Sequence, residues 1–150
     1  MFYNIKNNIG VRIMDKTLEM AQLINSVSYN LDILLSRKLL YENMAITEFK
    51  TLLILFNEGD TPIQEMARKV FLTSGSMTYI ANKLVNKQFI YKTQSNEDKR
   101  VFMLSLTEKG REKIKALILF TEPIIEDYFS GYTKNEKERI IKILRKTKIQ

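Results

Sequence analysis

The residues best suited to specific chemistry in this 150-residue chain lie between positions 74 and 100, and that chemistry is hydrogen bonding rather than bond making. Ser74, Gly75, Ser76, Thr78, Tyr79, Asn82 and Lys83 gather hydroxyls, an amide, a phenol and an ammonium group in one short stretch, and Asp98, Lys99 and Arg100 follow as a charged triplet. Hydroxyls and amides can match the donor and acceptor pattern of a partner at close range, while ammonium and guanidinium groups hold anions. Covalent chemistry has little to work with. The chain has no cysteine and no histidine, which removes the commonest metal ligands, the thiol nucleophiles and the side chain best suited to proton transfer near neutral pH. Carboxylates and lysines remain, yet none sits in a Gly-rich or otherwise catalytic setting. The expectation is a protein that is not an enzyme and takes neither metal nor cofactor.

These side chains need elements to position them. Met77, Ile80, Ala81, Leu84 and Val85 form a narrow apolar stripe that predicts a helix from Ser74 to about Lys87, with the polar residues on its other faces. A short helix should precede it: Thr61-Pro62-Ile63-Gln64 reads as a capping box with Pro at the first helical position, and Ile63, Met66, Ala67 and Val70 supply the apolar face. The chain would then turn through Phe71, Leu72 and Thr73. Before these, Phe49, Leu52, Leu53 and Phe56 predict a helix capped by Thr47 and closed at Gly59. After Gln88 the period changes to two. Phe89 to Thr93 and Val101 to Leu106 read as a hairpin whose connection, Gln94 to Arg100, is polar throughout and should project into water.

Longer helices flank this unit. Leu18, Ala21, Ile24, Val27, Leu31 and Leu34 recur at spacings of three and four from about Asp15 to Lys38. Thr107 caps a further helix through Ile114, Leu117 and Ile118, which Pro123 should kink or end, and Thr133 to Glu136 opens a last one with Ile140, Ile141 and Leu144. Residues 1 to 13 carry no periodicity and read as an extension dispensable for folding.

The composition is that of one globular domain, 45% hydrophobic and 27% charged, without an apolar run long enough to cross a bilayer or a signal-peptide pattern, so cytoplasm is the expected location and no membrane partner is expected. The net charge of +7 is unevenly spread. Residues 1 to 60 carry 6 basic and 7 acidic side chains, residues 61 to 106 carry 7 and 3, and residues 107 to 150 carry 11 and 7. Such an excess suits a polyanion, because neutralised phosphates release condensed counterions; it also suits a solvated basic surface.

Helix, short helix, turn, polar-faced helix and a hairpin with a charged tip make, in that order, a winged helix-turn-helix. The fold class expected is therefore mainly α with a small β-hairpin wing (residues 46 to 106), between N- and C-terminal helices (residues 14 to 45 and 107 to 150) whose apolar surface, more than a small winged unit needs, suits either dimerisation or packing within the chain. Over residues 46 to 115 the chain resembles the MarR family of bacterial regulators. The resemblance is carried by Gln64-Glu65-Met66-Ala67, Leu72-Thr73-Ser74-Gly75-Ser76-Met77-Thr78, Asn82-Lys83-Leu84, Asp98-Lys99-Arg100 and Leu106-Thr107-Glu108-Lys109-Gly110. It implies a homodimeric transcriptional regulator, a repressor, on a pseudo-palindromic duplex operator. Residues 74 to 87 would be the recognition helix, Asp98 would orient the wing, and Arg100 would reach the minor groove or its phosphates. The chain departs from the family at Gln88, where a glycine usually caps the recognition helix; a non-glycine there should cost about 1 kcal/mol or accompany a different helix end.

The stretch Thr73 to Tyr79 with this departure resembles the branch associated with quinone-like or phenolic compounds. A small aromatic effector would sit between the dimer helices and the winged unit, near Phe49, Leu53, Phe56, Met66 and Phe120, residues that equally serve as plain core. Without cysteine its action would be reversible and non-covalent. The competing reading is a winged helix that binds proteins and no DNA, against which Lys83, Lys87, Lys99 and Arg100 argue by their charge.

Overall fold

The computed structural model describes residues 15–147; the segment 1 to 13, which reads as an extension, lies outside the described residues. Helix α1, Lys16–Leu39, begins where the Asp15 carboxylate accepts the Thr17 N–H at 3.3 Å. It ends in a 3-10 turn, Leu40–Glu42, closed by Asn43 in the left-handed region at φ 51°. Its expected apolar stripe is half-buried only at the C-terminal end, at Leu31 and Leu34, whereas Leu18, Ile24 and Val27 are exposed; the buried residues of α1, Leu35 and Leu39, lie outside that stripe.

Helix α2, Ile46–Glu58, starts at Ala45 and not at Thr47. Ala45 has no side-chain acceptor, so the start is held from inside the helix, where Glu48 accepts the Ala45 N–H at 2.8 Å. Gly59 closes α2 at φ 84°, a conformation glycine adopts without Cβ strain. Thr61–Pro62, expected to cap a helix, is instead a short strand, β1. Its residues pair with Leu104 and Met103, and the Thr61 hydroxyl donates to the Gly59 carbonyl at 3.0 Å instead of capping. Pro62, lacking an N–H, is tolerated because β1 is an edge strand. Helix α3, Ile63–Lys69, follows at once.

Helix α4, Ser74–Asn86, is capped by Thr73, whose hydroxyl accepts the Ser76 N–H at 3.2 Å. Strands β2, Ile90–Gln94, and β3, Phe102–Leu106, pair antiparallel with Ile90 opposite Leu106 and Gln94 opposite Phe102. With β1 they form a three-stranded sheet of order β1-β3-β2, one strand more than the hairpin expected from sequence. Helix α5, Glu108–Tyr128, runs through Pro123 without ending there. Leu119, whose carbonyl loses its helical partner to the proline, is exposed, so water can satisfy it. Helix α6, Lys134–Leu144, opens with the expected Thr133–Glu136 capping box. Leu39, Leu52, Met66, Met77, Leu84, Leu104 and Leu117 are fully buried, so one core joins α1, the winged unit and α5.

Gln88 keeps the left-handed conformation, φ 62°, with its N–H on the Val85 carbonyl at 2.8 Å and the Phe89 N–H on the Leu84 carbonyl at 3.0 Å. The helix end therefore has the glycine-type shape without the glycine, and the strain is carried by a residue with a side chain. Gln88→Gly should raise stability by about 1 kcal/mol, read as a rise of roughly 2–4 °C in Tm. A variant no more stable than the wild type would show that the Cβ is not strained.

Candidate nucleic-acid interface

Helix α4 presents three faces. Met77, Ala81 and Leu84 are buried in the core. Opposite them Gly75, Tyr79, Asn82 and Asn86, spaced by four, three and four, form an exposed row. Ser76, Lys83 and Lys87 lie on the flank between. Nothing lies within 4 Å of a Cβ built on Gly75, so the bare backbone at the start of α4 faces open space. Ser74 and Ser76 are also exposed, with the Ser76 hydroxyl 2.9 Å from that of the capping Thr73. The Thr78 hydroxyl donates back to the Ser74 carbonyl at 2.9 Å and keeps its lone pairs free to accept.

The two lysines on the flank have a partner that sequence reasoning missed. Glu48 of α2 is fully buried; its Oε2 accepts Lys87 Nζ at 3.0 Å as well as the Ala45 N–H, and Lys83 Nζ lies 3.2 Å from its Oε1. Burial alone would raise the Glu48 carboxyl, but the Ala45 N–H, Lys87 and Lys83 outweigh it and hold it below its ordinary value of 4.5. Lys87 also donates to the Asn43 carbonyl at 2.9 Å. Lys83, grouped by sequence with the outward residues, thus faces inward at its tip. A second missed residue is Lys92 of β2, which donates to Asn82 Oδ1 at 3.2 Å and lies 4.9 Å from the centre of the Phe102 ring. It ties the sheet to the exposed row and leaves the Asn82 amide protons available.

The connection between β2 and β3 is a defined turn. The Asp98 carboxylate accepts the Arg100 N–H at 2.9 Å, and the Val101 N–H donates to the Asp98 carbonyl at 2.9 Å. Gln94 Nε2 donates to the Lys99 carbonyl at 3.3 Å. With the Asp98 carboxylate engaged by the backbone, the Lys99 and Arg100 side chains stand exposed at the tip. The turn is self-contained, as a short polar side chain that closes its own loop allows.

The five residues expected to border an effector divide between core and half-buried positions. Phe49 and Met66 are core, and Leu53, Phe56 and Phe120 are half-buried, with the Arg111 guanidinium 6.0 Å from the Phe56 ring centre. Two cavities among the described residues are bordered by none of these five. One of about 560 Å³ is bordered by Glu42, Met44, Lys87, Phe89, Lys109 and Lys113. Another of about 550 Å³ lies among Leu23, Val27, Ile125, Phe129, Ile141 and Leu144 of α1, α5 and α6.

The family model described as the MarR family matches residues 44–102. The HTH-type transcriptional regulator MhqR of Bacillus subtilis is 32% identical over 100 residues, 67% of this chain and 69% of that protein. Among solved structures, a mutant of MarR from E. coli complexed with operator DNA superposes with a TM-score of 0.72 at 19% identity, covering 91% of this chain and 98% of that one. Bordetella bronchiseptica BpsR, solved in a study of the regulation of its DNA binding by 6-hydroxynicotinic acid, gives a TM-score of 0.72 at 17% identity over 85% and 97% of the two chains.

Proposed function

The chain belongs to the MarR family of transcriptional regulators, and from that premise we propose that it acts as a homodimeric repressor whose α4 and wing contact one duplex operator. The observation that carries the reading is the pairing of an open, glycine-bearing helix start at Ser74 to Ser76 with two exposed cations at the wing tip. Ser74, Gly75, Ser76, Thr78, Tyr79 and Asn82 would meet base edges and phosphates in the major groove, and Asp98 would shape the turn from which Lys99 and Arg100 reach the backbone or minor groove. Lys83 stands apart, because its ammonium already faces Glu48.

The dimer reading rests on apolar surface that one copy leaves uncovered. Leu18, Leu23 and Ile24 of α1 and Ile140, Ile141 and Leu144 of α6 are all exposed, and a two-fold partner would bury them. The two recognition helices would then meet successive major grooves about 34 Å apart. Among the described residues no helix is long and apolar enough to cross a membrane, so this surface does not mark a helical membrane span.

A retardation assay on fragments from the source genome, repeated over a salt series, tests the proposal. Salt-sensitive, fragment-selective binding at micromolar concentration or tighter is expected. Absence of binding would favour the protein-interaction reading. For the effector, the absence of cysteine supports reversible, non-covalent action, and the half-buried Phe56, with the Arg111 guanidinium 6.0 Å from its ring centre, is the candidate aromatic contact. Release from DNA by a phenol or hydroquinone, restored on dialysis, is the expected outcome; selective release by peroxide, reversed by a thiol, would contradict it.

A further inference from the structure

Glu48 has no exposed surface, yet it is charged, accepts a hydrogen bond from Lys87 at the C-cap of α4, and lies within ion-pair distance, 3.2 Å, of Lys83 one turn earlier. Burying a carboxylate with its counter-ions seldom adds stability over an apolar packing of the same volume, so the feature calls for a geometric reason. Apolar contacts are non-directional, and the stripe that seats α4 is narrow, with Ala81 at its middle. The Lys87–Glu48 hydrogen bond is directional, and Lys83 adds a second charge held beside the same carboxylate. Glu48 is fixed in turn, because its Oε2 also closes the start of α2 through the Ala45 N–H.

We propose that Glu48 is a positioning residue for DNA recognition: it locks the rotation of α4 about its axis and withdraws Lys83 and Lys87 from phosphate binding. The inference rests on the DNA-binding reading above. Since α4 is rigid, whatever fixes the Lys83–Lys87 flank fixes the outward row of Gly75, Tyr79, Asn82 and Asn86. With Glu48 neutralised, the row loses its defined pose, and two cations become free to meet phosphates without regard to sequence. The consequence is a trade that a purely structural defect would not produce, with non-specific affinity rising while sequence preference falls.

The test uses the full chain and two duplexes: one selected from a random pool by the wild-type protein, and the same duplex scrambled. For Glu48→Gln, preference for the selected duplex should fall about tenfold or more, and the slope of log K against log salt on the scrambled duplex should steepen by about 1 to 2. Lys83→Gln keeps the bonds of Glu48 to Ala45 and Lys87, so it covers the case in which the first variant does not fold. It should lose preference with its salt slope unchanged. A Glu48→Gln protein with wild-type preference and slope, or a Lys83→Gln protein whose slope flattens by about 0.9, would overturn the inference. A wild type without sequence preference would instead defeat the DNA-binding reading, and this inference with it.

Discussion

Gly110→Ala should destabilise the protein by about 3 kcal/mol or more, lowering Tm by roughly 6–12 °C. A Cβ at this position would overlap the Phe89 carbonyl oxygen and lie 2.7 Å from its carbon. Neither side can retreat. The Phe89 carbonyl accepts the Thr107 N–H at 3.0 Å, and the Thr107 hydroxyl both donates to the Gln88 carbonyl at 2.7 Å and accepts the Gly110 N–H at 2.9 Å. The end of α4, the entry to β2 and the start of α5 are thus knotted through one point, and the added methyl must break it. Gly75→Ala is the control: nothing lies within 4 Å there, so its unfolding midpoint should stay close to that of the wild type. Urea and thermal unfolding of both variants measure the difference. A Gly110→Ala protein within about 1 kcal/mol of wild type would mean that the turn is looser than this geometry.

Removing the buried carboxylate comes next in size. Glu48→Ala should cost about 2 kcal/mol near neutral pH, less than a fully enclosed ion pair, because the Lys83 and Lys87 tips can turn to water. Acid should mimic it. The folded-state carboxyl lies below its ordinary value of 4.5, so its contribution is complete above that value and is lost as pH falls through the lower, folded value. The wild type should therefore lose stability on acidification below about 4.5, with a steeper slope than Glu48→Gln. Parallel curves would contradict the ion cluster.

How legible each element is in the sequence tracks how local its causes are. Thr107 and the Thr133–Glu136 box cap their helices through bonds to residues three positions away, and both are legible, whereas Thr73, which caps α4 in the same way, reads only as a turn residue. β1 is not, since Thr-Pro followed by an apolar residue has the same local signature as a helix start. What decides it is pairing with Leu104 and Met103, about forty residues on. Thr47 looks the better cap because Ala45 has no cap side chain, and the bond that replaces it comes from a glutamate inside the helix. Pro123 reads as a break because the pattern does not tell that the carbonyl it orphans lies on an exposed face.

The candidate interface divides in the same way. The exposed row of α4 and the Asp98 turn follow from helix period and short-range hydrogen bonds, so the outward placement of Gly75, Tyr79, Asn82, Lys99 and Arg100 is legible in the sequence. Lys83 groups with them there because its partner, Glu48, lies on another helix and carries no motif. Phe49 and Met66 are core for a matching reason: aromatic and thioether side chains at helical spacing look alike whether they face a ligand or a neighbouring helix.

The most direct measurement of the central claim, that the wing and α4 together hold duplex DNA, is the salt dependence of binding by Arg100→Ala. Asp98 holds the turn through the Arg100 backbone N–H, so removing the Arg100 side chain leaves the fold of the tip intact. Affinity for the selected duplex should drop, and the slope of log K against log salt should flatten by about 0.9 for the lost phosphate contact. Affinity and slope both equal to wild type would contradict the placement of the wing on DNA.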